Sequence, residues 1–195
     1  LRAAIELEQF DVHYQPIFDI ETQRVVALEA LIRWKDPEEG FIAPARFLPV
    51  AEESGLIEPI GQFVWRHVAA DMARWREQKL TLVPVAVNLP AGQLMRSELG
   101  GLIVEVTQAH GLDPSMLQIE LTEGAMLQKV DHRSGRSSEA VINHVRGLGV
   151  RISIDDFGVG YSSLGYLKQL RVDSLKIDRS FIRDLASDSN DYAIV

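Results

Sequence analysis

The 195-residue sequence contains no cysteine. Disulfides, thiolate zinc sites, iron–sulfur clusters and cysteine nucleophiles are therefore excluded, and the absence fits a reducing compartment. Long apolar runs are missing too: none approaches the ~20 residues that a membrane helix needs. Leu1–Phe10 alternates charged with apolar side chains and is no signal peptide. Positive charge is in deficit, with 20 Lys+Arg against 28 Asp+Glu and a net charge of -8. So acidic a chain offers no broad basic face to a nucleic-acid duplex. Low-complexity tracts, internal repeats and a dividing linker are also missing.

What is present suffices for a core. Hydrophobic residues make up 46% and charged residues 25%, the balance of a globular domain. Short β-branched runs alternate with polar or Gly-rich turns and amphipathic stretches. Strands are expected at His13–Phe18, Val25–Trp34, Val83–Leu89, Leu117–Glu123, Val150–Phe157 and Leu175–Phe181. Ile60, Val64, Val68, Met72 and Trp75 keep helical spacing, with Arg66, Arg74 and Glu77 turned outward. Ser137–Leu148 and Ser162–Leu170 read as helices whose first serines suit N-caps. Strand–helix alternation predicts a parallel α/β sheet or barrel. The short Asp19–Arg24 connection instead predicts an antiparallel hairpin between the first two strands.

Side-chain parity sharpens the expectation, because alternate strand residues face opposite sides. Val83, Val85, Val87 and Leu89 oppose Pro84, Ala86 and Asn88. Leu117, Ile119 and Leu121 oppose Gln118 and Glu120. Val150, Ile152 and Ile154 oppose Arg151, Ser153 and Asp155, and Leu175 and Ile177 oppose Ser174, Lys176 and Asp178. Glu29 shares a face with Leu31 and Arg33. Bulky residues on one face, with small or polar ones on the other, suit a (β/α) barrel better than an open doubly wound sheet.

That assignment points Glu29, Asn88, Glu120, Asp155 and Lys176 into one cavity from five strands, with Asp156 at the rim. Carboxylates so crowded require compensating positive charge. A divalent metal supplies it, and all-oxygen ligands select hard Mg²⁺ or Mn²⁺, with Ca²⁺ as the alternative, over zinc or copper. Adjacent Asp155 and Asp156 suit two ions, the arrangement for two-metal hydrolysis of a phosphodiester. Lys176 would hold a water, hydroxide or phosphate oxygen, and Gln15 and Arg33 stand where substrate would lie. Other features read more plainly. Asp156-Phe157-Gly158 matches the kinase metal triplet without that family's other motifs. Gly158-Val159-Gly160 suits a capped turn, the five histidines show no ligand spacing, and the three tryptophans suit a core.

Tyr14-Gln-Pro-Ile17, Glu29-Ala-Leu-Ile-Arg-Trp34, Val87-Asn88, Glu120-Leu-Thr-Glu123, Asp155-Asp-Phe-Gly-Val-Gly-Tyr-Ser-Ser-Leu164 and Lys176-Ile-Asp-Arg-Ser-Phe181 occur in that order. Together they resemble the EAL domain, the bacterial phosphodiesterase that linearises cyclic di-GMP to pGpG. The resemblance implies a modified TIM barrel with one antiparallel strand near the N-terminus, using Mg²⁺ or Mn²⁺, two ions per site. It assigns Glu29, Asn88, Glu120 and Asp155 to the first metal and shares Asp155 with Asp156 on the second. It gives Lys176 the attacking water, and Gln15, Leu31, Arg33, Asn88 and Asp178 the dinucleotide. Glu123 would steady the loop Asp156–Ser163, which couples the metal site to dimerisation. The resemblance further implies a cytoplasmic homodimer attached to sensory or GGDEF domains, with no membrane contact of its own.

Two departures stand out. Val159 replaces the family's usual Thr or other small residue, and the later Glu-Gly-Val-Glu motif and the Gln beyond it are absent. The chain also begins without Met and shows about six strands where a closed barrel has ~8. The expectation is therefore one EAL-type domain over residues 1–195, lacking its last strands and belonging to something longer. Two other functions fit the same pocket: a cyclic di-GMP receptor that signals without hydrolysis, and an enolase-like enzyme with Lys176 as base. The motifs Tyr14–Ile17 and Glu29–Trp34 count against the second.

Overall fold

Among the described residues seven strands, β1 (Phe10–Phe18), β2 (Val25–Asp36), β3 (Gly40–Ile42), β4 (Val85–Asn88), β5 (Leu117–Thr122), β6 (Arg151–Phe157) and β7 (Ser174–Ile177), form one sheet in the order β1-β2-β4-β5-β6-β7, with β3 also paired to β2. The computed structural model describes residues 1–96, 98–126, 137–159 and 172–183. Strands β1 (Phe10–Phe18) and β2 (Val25–Asp36) form the expected antiparallel hairpin. Its turn is closed by Asp19, whose Oδ1 accepts from the Thr22 amide and hydroxyl at 2.7 and 2.6 Å. From β2 the sheet runs parallel through β4 (Val85–Asn88), β5 (Leu117–Thr122), β6 (Arg151–Phe157) and β7 (Ser174–Ile177). The described strands do not close, but their order and direction are those of a TIM-type barrel with an inverted first strand.

The two faces divide as parity predicts. Val85, Val87, Leu117, Ile119, Leu121, Ile152 and Ile154 are all buried in the main core. They meet Val64, Trp65, Val68 and Met72 of helix α3 (Ile57–Glu77). After the short helix α4 (Ala91–Arg96), Leu99, Ile103 and Val106 of α5 (Leu99–His110) and Ile142 and Val145 of α7 (Ser138–Gly147) complete that layer. Burying each such side chain stabilises by about 1.5–3 kcal/mol, which fixes the sheet that carries the site. Ser137 is the N-cap of α7, its hydroxyl accepting from the Ala140 amide at 3.2 Å. On the inner face, the Ser174 hydroxyl donates to that of buried Ser153 at 3.0 Å. A second, smaller core gathers Phe10, Ile42, Phe47, Ala51, Ile57 and Ile60. It lies beneath α1 (Arg2–Glu6) and α2 (Pro44–Ser54), where Trp34 packs against Phe47 with centroids 5.6 Å apart.

Several boundaries differ from expectation. The strand expected over Leu175–Phe181 ends at Ile177, because Asp178 caps the helix Arg179–Arg183 by accepting from the Ser180 amide at 2.8 Å. The strand expected to end at Glu123 stops at Thr122, and Glu123 opens the short helix α6 (Glu123–Met126). Strand β3 (Gly40–Ile42) and helix α1 carry too few residues for a periodic signal. Leu175 and Ile177, expected to lie under helices, are 44% and 40% exposed on a strand that pairs only with β6 among the described residues. Ser162–Leu170 lies outside the described residues. Trp65 is buried, and Trp34 and Trp75 are partly buried against the two cores, as expected.

Candidate active site

The inner-face residues of β2, β4, β5, β6 and β7 converge at the C-terminal ends of the parallel strands. Lys176 Nζ lies 3.0 Å from Glu29 Oε2, 2.7 Å from Glu120 Oε2 and 3.4 Å from Asp155 Oδ1. Asn88 Nδ2 donates to the other oxygen of Glu29 at 2.8 Å. Register explains the meeting: Asn88 pairs with Glu120, and Thr122 with Asp155, on adjacent strands. All five residues that parity placed in one cavity therefore meet.

Their electrostatics are set by burial. The Glu120 side chain has no exposure to solvent, whereas those of Glu29, Asp155 and Lys176 keep 17%, 23% and 30%. Burial pushes the Glu120 carboxyl up to about 7, despite the opposing hydrogen bond and charge of Lys176. Burial acts to lower the Lys176 ammonium, but the hydrogen bonds and charges of Glu120 and Glu29 outweigh it and raise it above its ordinary value. One lysine thus faces three carboxylates, which is incomplete compensation. Glu120 Oε1 is buried and has no hydrogen-bond partner among the described residues. Carboxylate oxygens of Glu29, Glu120 and Asp155 lie within 4.8 Å of one another, a spacing and donor type that fit a hard divalent cation. The residues present fit the metal that the sequence implies.

The neighbouring pair Asp155–Asp156 owes its display to a β-bulge. Ile154 pairs with Leu175 and Phe157 with Ile177, so Asp155 and Asp156 together stand opposite the single Lys176. Asp156 takes a left-handed φ of 53°, an uncommon conformation for a side-chain-bearing residue. Burial, with the charges of Asp155 and Asp178, holds its carboxyl above the ordinary range. Gly158 follows at φ 104°, and a Cβ there would lie 2.6 Å from the Phe181 ring. The Asp178 amide donates to the Phe157 carbonyl at 3.3 Å, tying the bulge to the turn after β7.

The remaining predicted residues surround this centre at different ranges. Leu31, Arg33, Asn88, Glu120 and Thr122 line a cleft of about 400 Å³ that opens onto it. Arg33 Nη1 donates to the Ile32 carbonyl at 2.9 Å. Gln15 pairs across the hairpin with Glu29 and is exposed. Asp178 is engaged as a helix cap, accepting from both the amide and hydroxyl of Ser180, which holds its carboxyl below the ordinary range. Glu123 stands directly after β5, at the same end of the sheet as the cluster. Of the loop it was expected to steady, residues 160–163 lie outside the described ones.

Sequence reasoning missed three participants. Thr122 lines the cleft and shares the parity of Glu120, a signal that was available. Phe181 packs on Gly158, a contact with no local sequence mark. Asp71 is a buried acid inside the apolar stripe of α3, and its anomaly in that stripe was the signal.

Comparison with known proteins agrees with this geometry. The chain is 42% identical over 195 residues to the bifunctional diguanylate cyclase/cyclic di-GMP phosphodiesterase MucR of Pseudomonas aeruginosa, covering all of this chain and 28% of that protein. It is 38% identical over 194 residues to the cyclic di-GMP phosphodiesterase NbdA of the same organism, covering 24% of it. The chain thus spans about a quarter of the length of these relatives. Among solved structures, the c-di-GMP complex of the PaMucR phosphodiesterase superposes with a TM-score of 0.89 at 41% identity, covering 99% of this chain and 76% of that one. The EAL enzyme Bd1971, in its cAMP- and cyclic-di-GMP-bound form, gives 0.88 at 30% identity, covering 99% and 52%. The EAL domain family model matches residues 1–195, and on that match, over strands that deliver the acidic cluster, this chain belongs to the EAL domain family.

Proposed function

We propose that this chain hydrolyses cyclic di-GMP to linear pGpG with the help of Mg²⁺ or Mn²⁺. The observation that carries the reading is the meeting of Glu29, Glu120 and Asp155 under Lys176, in a family whose relatives are named cyclic di-GMP phosphodiesterases. Glu29, Asn88, Glu120 and Asp155 would hold one ion, and Asp155 with Asp156 a second. The chemistry such ions supply, when bound, is polarisation of a phosphate oxygen and acidification of water toward hydroxide. Lys176, held protonated by its acidic neighbours, would orient the attacking water through its Nζ donors. Arg33 would bind phosphate through its forked donors, and Gln15 and Leu31 would contact the dinucleotide beside Glu29. In the reaction the water oxygen bonds to phosphorus, one P–O3′ bond breaks, and the leaving 3′ oxygen takes up a proton.

Among the motifs present no metal residue is missing, which supports an enzyme over a receptor that binds without turnover. A cytoplasmic location, a homodimer and attached sensory or GGDEF domains belong to the same reading. Among the described residues, no helix is long and apolar enough to cross a membrane. The test is incubation of the protein with cyclic di-GMP and Mg²⁺ or Mn²⁺, with chromatographic detection of pGpG. Formation of pGpG that stops on chelation is the expected result. Tight nucleotide binding with no pGpG in either metal would establish the receptor instead.

A further inference from the structure

The side of β1 turned away from the cleft carries a cluster that the proposed chemistry does not use. The Tyr14 hydroxyl donates to Asp71 Oδ2 at 2.7 Å, and Asp71 is 5% exposed in the middle of α3. Arg74 Nη2 donates to Asp71 Oδ1 at 2.6 Å. His67 Nε2 lies 3.5 Å from Asp71 Oδ2 and 3.7 Å from Asp11 Oδ1 on β1. The Tyr14 ring meets Trp75 edge-on with centroids 4.8 Å apart. Burial, reinforced by the hydrogen bond and charge of Asp71, raises the phenol well above its usual range, so it remains a donor at working pH. A buried carboxylate needs partners, yet Arg74 on the same helix would provide one without involving the sheet. Tyr14 adds what Arg74 does not, a link from helix to strand.

That link bears on the site through strand geometry. Among the described residues β1 pairs with β2 alone; α2 meets it near its start, where Phe10 packs on Phe47, and α3 packs against it around Tyr14. Tyr14 stands opposite Ala30, and Gln15 stands opposite Glu29. Neighbouring strand residues point to opposite faces, so anchoring Tyr14 on α3 determines how Gln15 is presented on the inner face. We propose that Tyr14 and Asp71 are positioning residues, a latch that holds β1 against α3 so that Gln15 meets the substrate beside Glu29. This rests on the phosphodiesterase reading and on Gln15 as a substrate contact.

The experiment compares wild type, Tyr14→Phe, Gln15→Ala and the double variant by pGpG formation, with calorimetric binding of cyclic di-GMP alongside. Tyr14→Phe keeps the ring against Trp75 and removes only the hydroxyl. Its KM is expected to rise by about 3–10-fold, with kcat within about 2-fold of wild type, because a displaced contact weakens binding more than chemistry. Added to Gln15→Ala, it should raise KM no further, since the latch acts through Gln15. Asp71→Asn, which retains an acceptor for the hydroxyl, should keep KM near that of wild type. A lowered Tm with unchanged KM, or effects of the two substitutions that simply add, would overturn the latch while leaving the phosphodiesterase reading intact. Loss of both binding and turnover in wild type would overturn that reading and the latch with it.

Discussion

At the scale of single residues, the site is a balance of three carboxylates against one ammonium, and each substitution tips it differently. Glu29 is a shared partner of Asn88 and Lys176, so Glu29→Ala removes a proposed metal donor and relieves charge repulsion at once. The fold should survive, with Tm close to wild type, while turnover falls by ~10³-fold or more, the order expected for a metal ligand. Circular dichroism and pGpG formation check the two halves of that statement. Lys176 and Arg33 separate another pair of roles. Lys176→Ala should lower kcat far more than affinity, because the group is placed to act on the nucleophile. Arg33→Ala, on the wall of the cleft, should mainly raise KM. Equal losses of affinity with unchanged kcat in both variants would refute the assignment.

At the scale of elements, the bulge in β6 matters more than the strand that contains it. Two consecutive acids reach one site because the bulge sets both opposite Lys176, and the turn that follows is tight enough to require Gly158. Gly158→Ala would force a Cβ against the Phe181 ring at a φ that side chains rarely adopt. The expected cost is about 1–3 kcal/mol, read as a lowered denaturation midpoint, from strain and overpacking. Adding Phe181→Ala should recover only the share due to the clash, since the φ penalty remains; full recovery would show that backbone strain contributes nothing. The parity of β4, β5 and β6 was legible because β-branched and aliphatic residues alternate with small or polar ones over four or more positions. The bulge was not, because Asp155-Asp156 reads equally well as a strand end. Strand β7 is shorter than expected for a related reason: Ile177 and Phe181 share the parity of Leu175, and only the capping contacts of Asp178 show that the chain has turned.

At the scale of the whole molecule, residues separated by up to 147 positions, Glu29 and Lys176, form one ion pair, so the site exists only when the sheet does. Ligand binding and folding are therefore coupled. Saturating Mn²⁺ or Mg²⁺ at about 100 times its dissociation constant should stabilise the native state by about 2.7 kcal/mol, seen as a rise in Tm. Glu120→Gln keeps the volume but loses the charge, and it should abolish most of that rise. An undiminished metal-dependent shift in that variant would remove Glu120 from the donor set.

The sequence by itself determined the strand–helix alternation, the antiparallel entry hairpin, the face on which each strand carries its polar residues, and the ordered motifs of the family. These follow from local periodicity and residue type, which every segment carries within itself. Only the tertiary structure decided that Glu120 lies wholly out of solvent with one oxygen unpartnered among the described residues, and that Asp178 caps a helix. It alone showed that Asp155 and Asp156 share a bulge, that Gly158 lies under Phe181, and that Asp71 reaches from α3 to Tyr14. Each depends on register and on which groups exclude water together. Those quantities arise from contacts between segments far apart in the chain, where no local pattern records them.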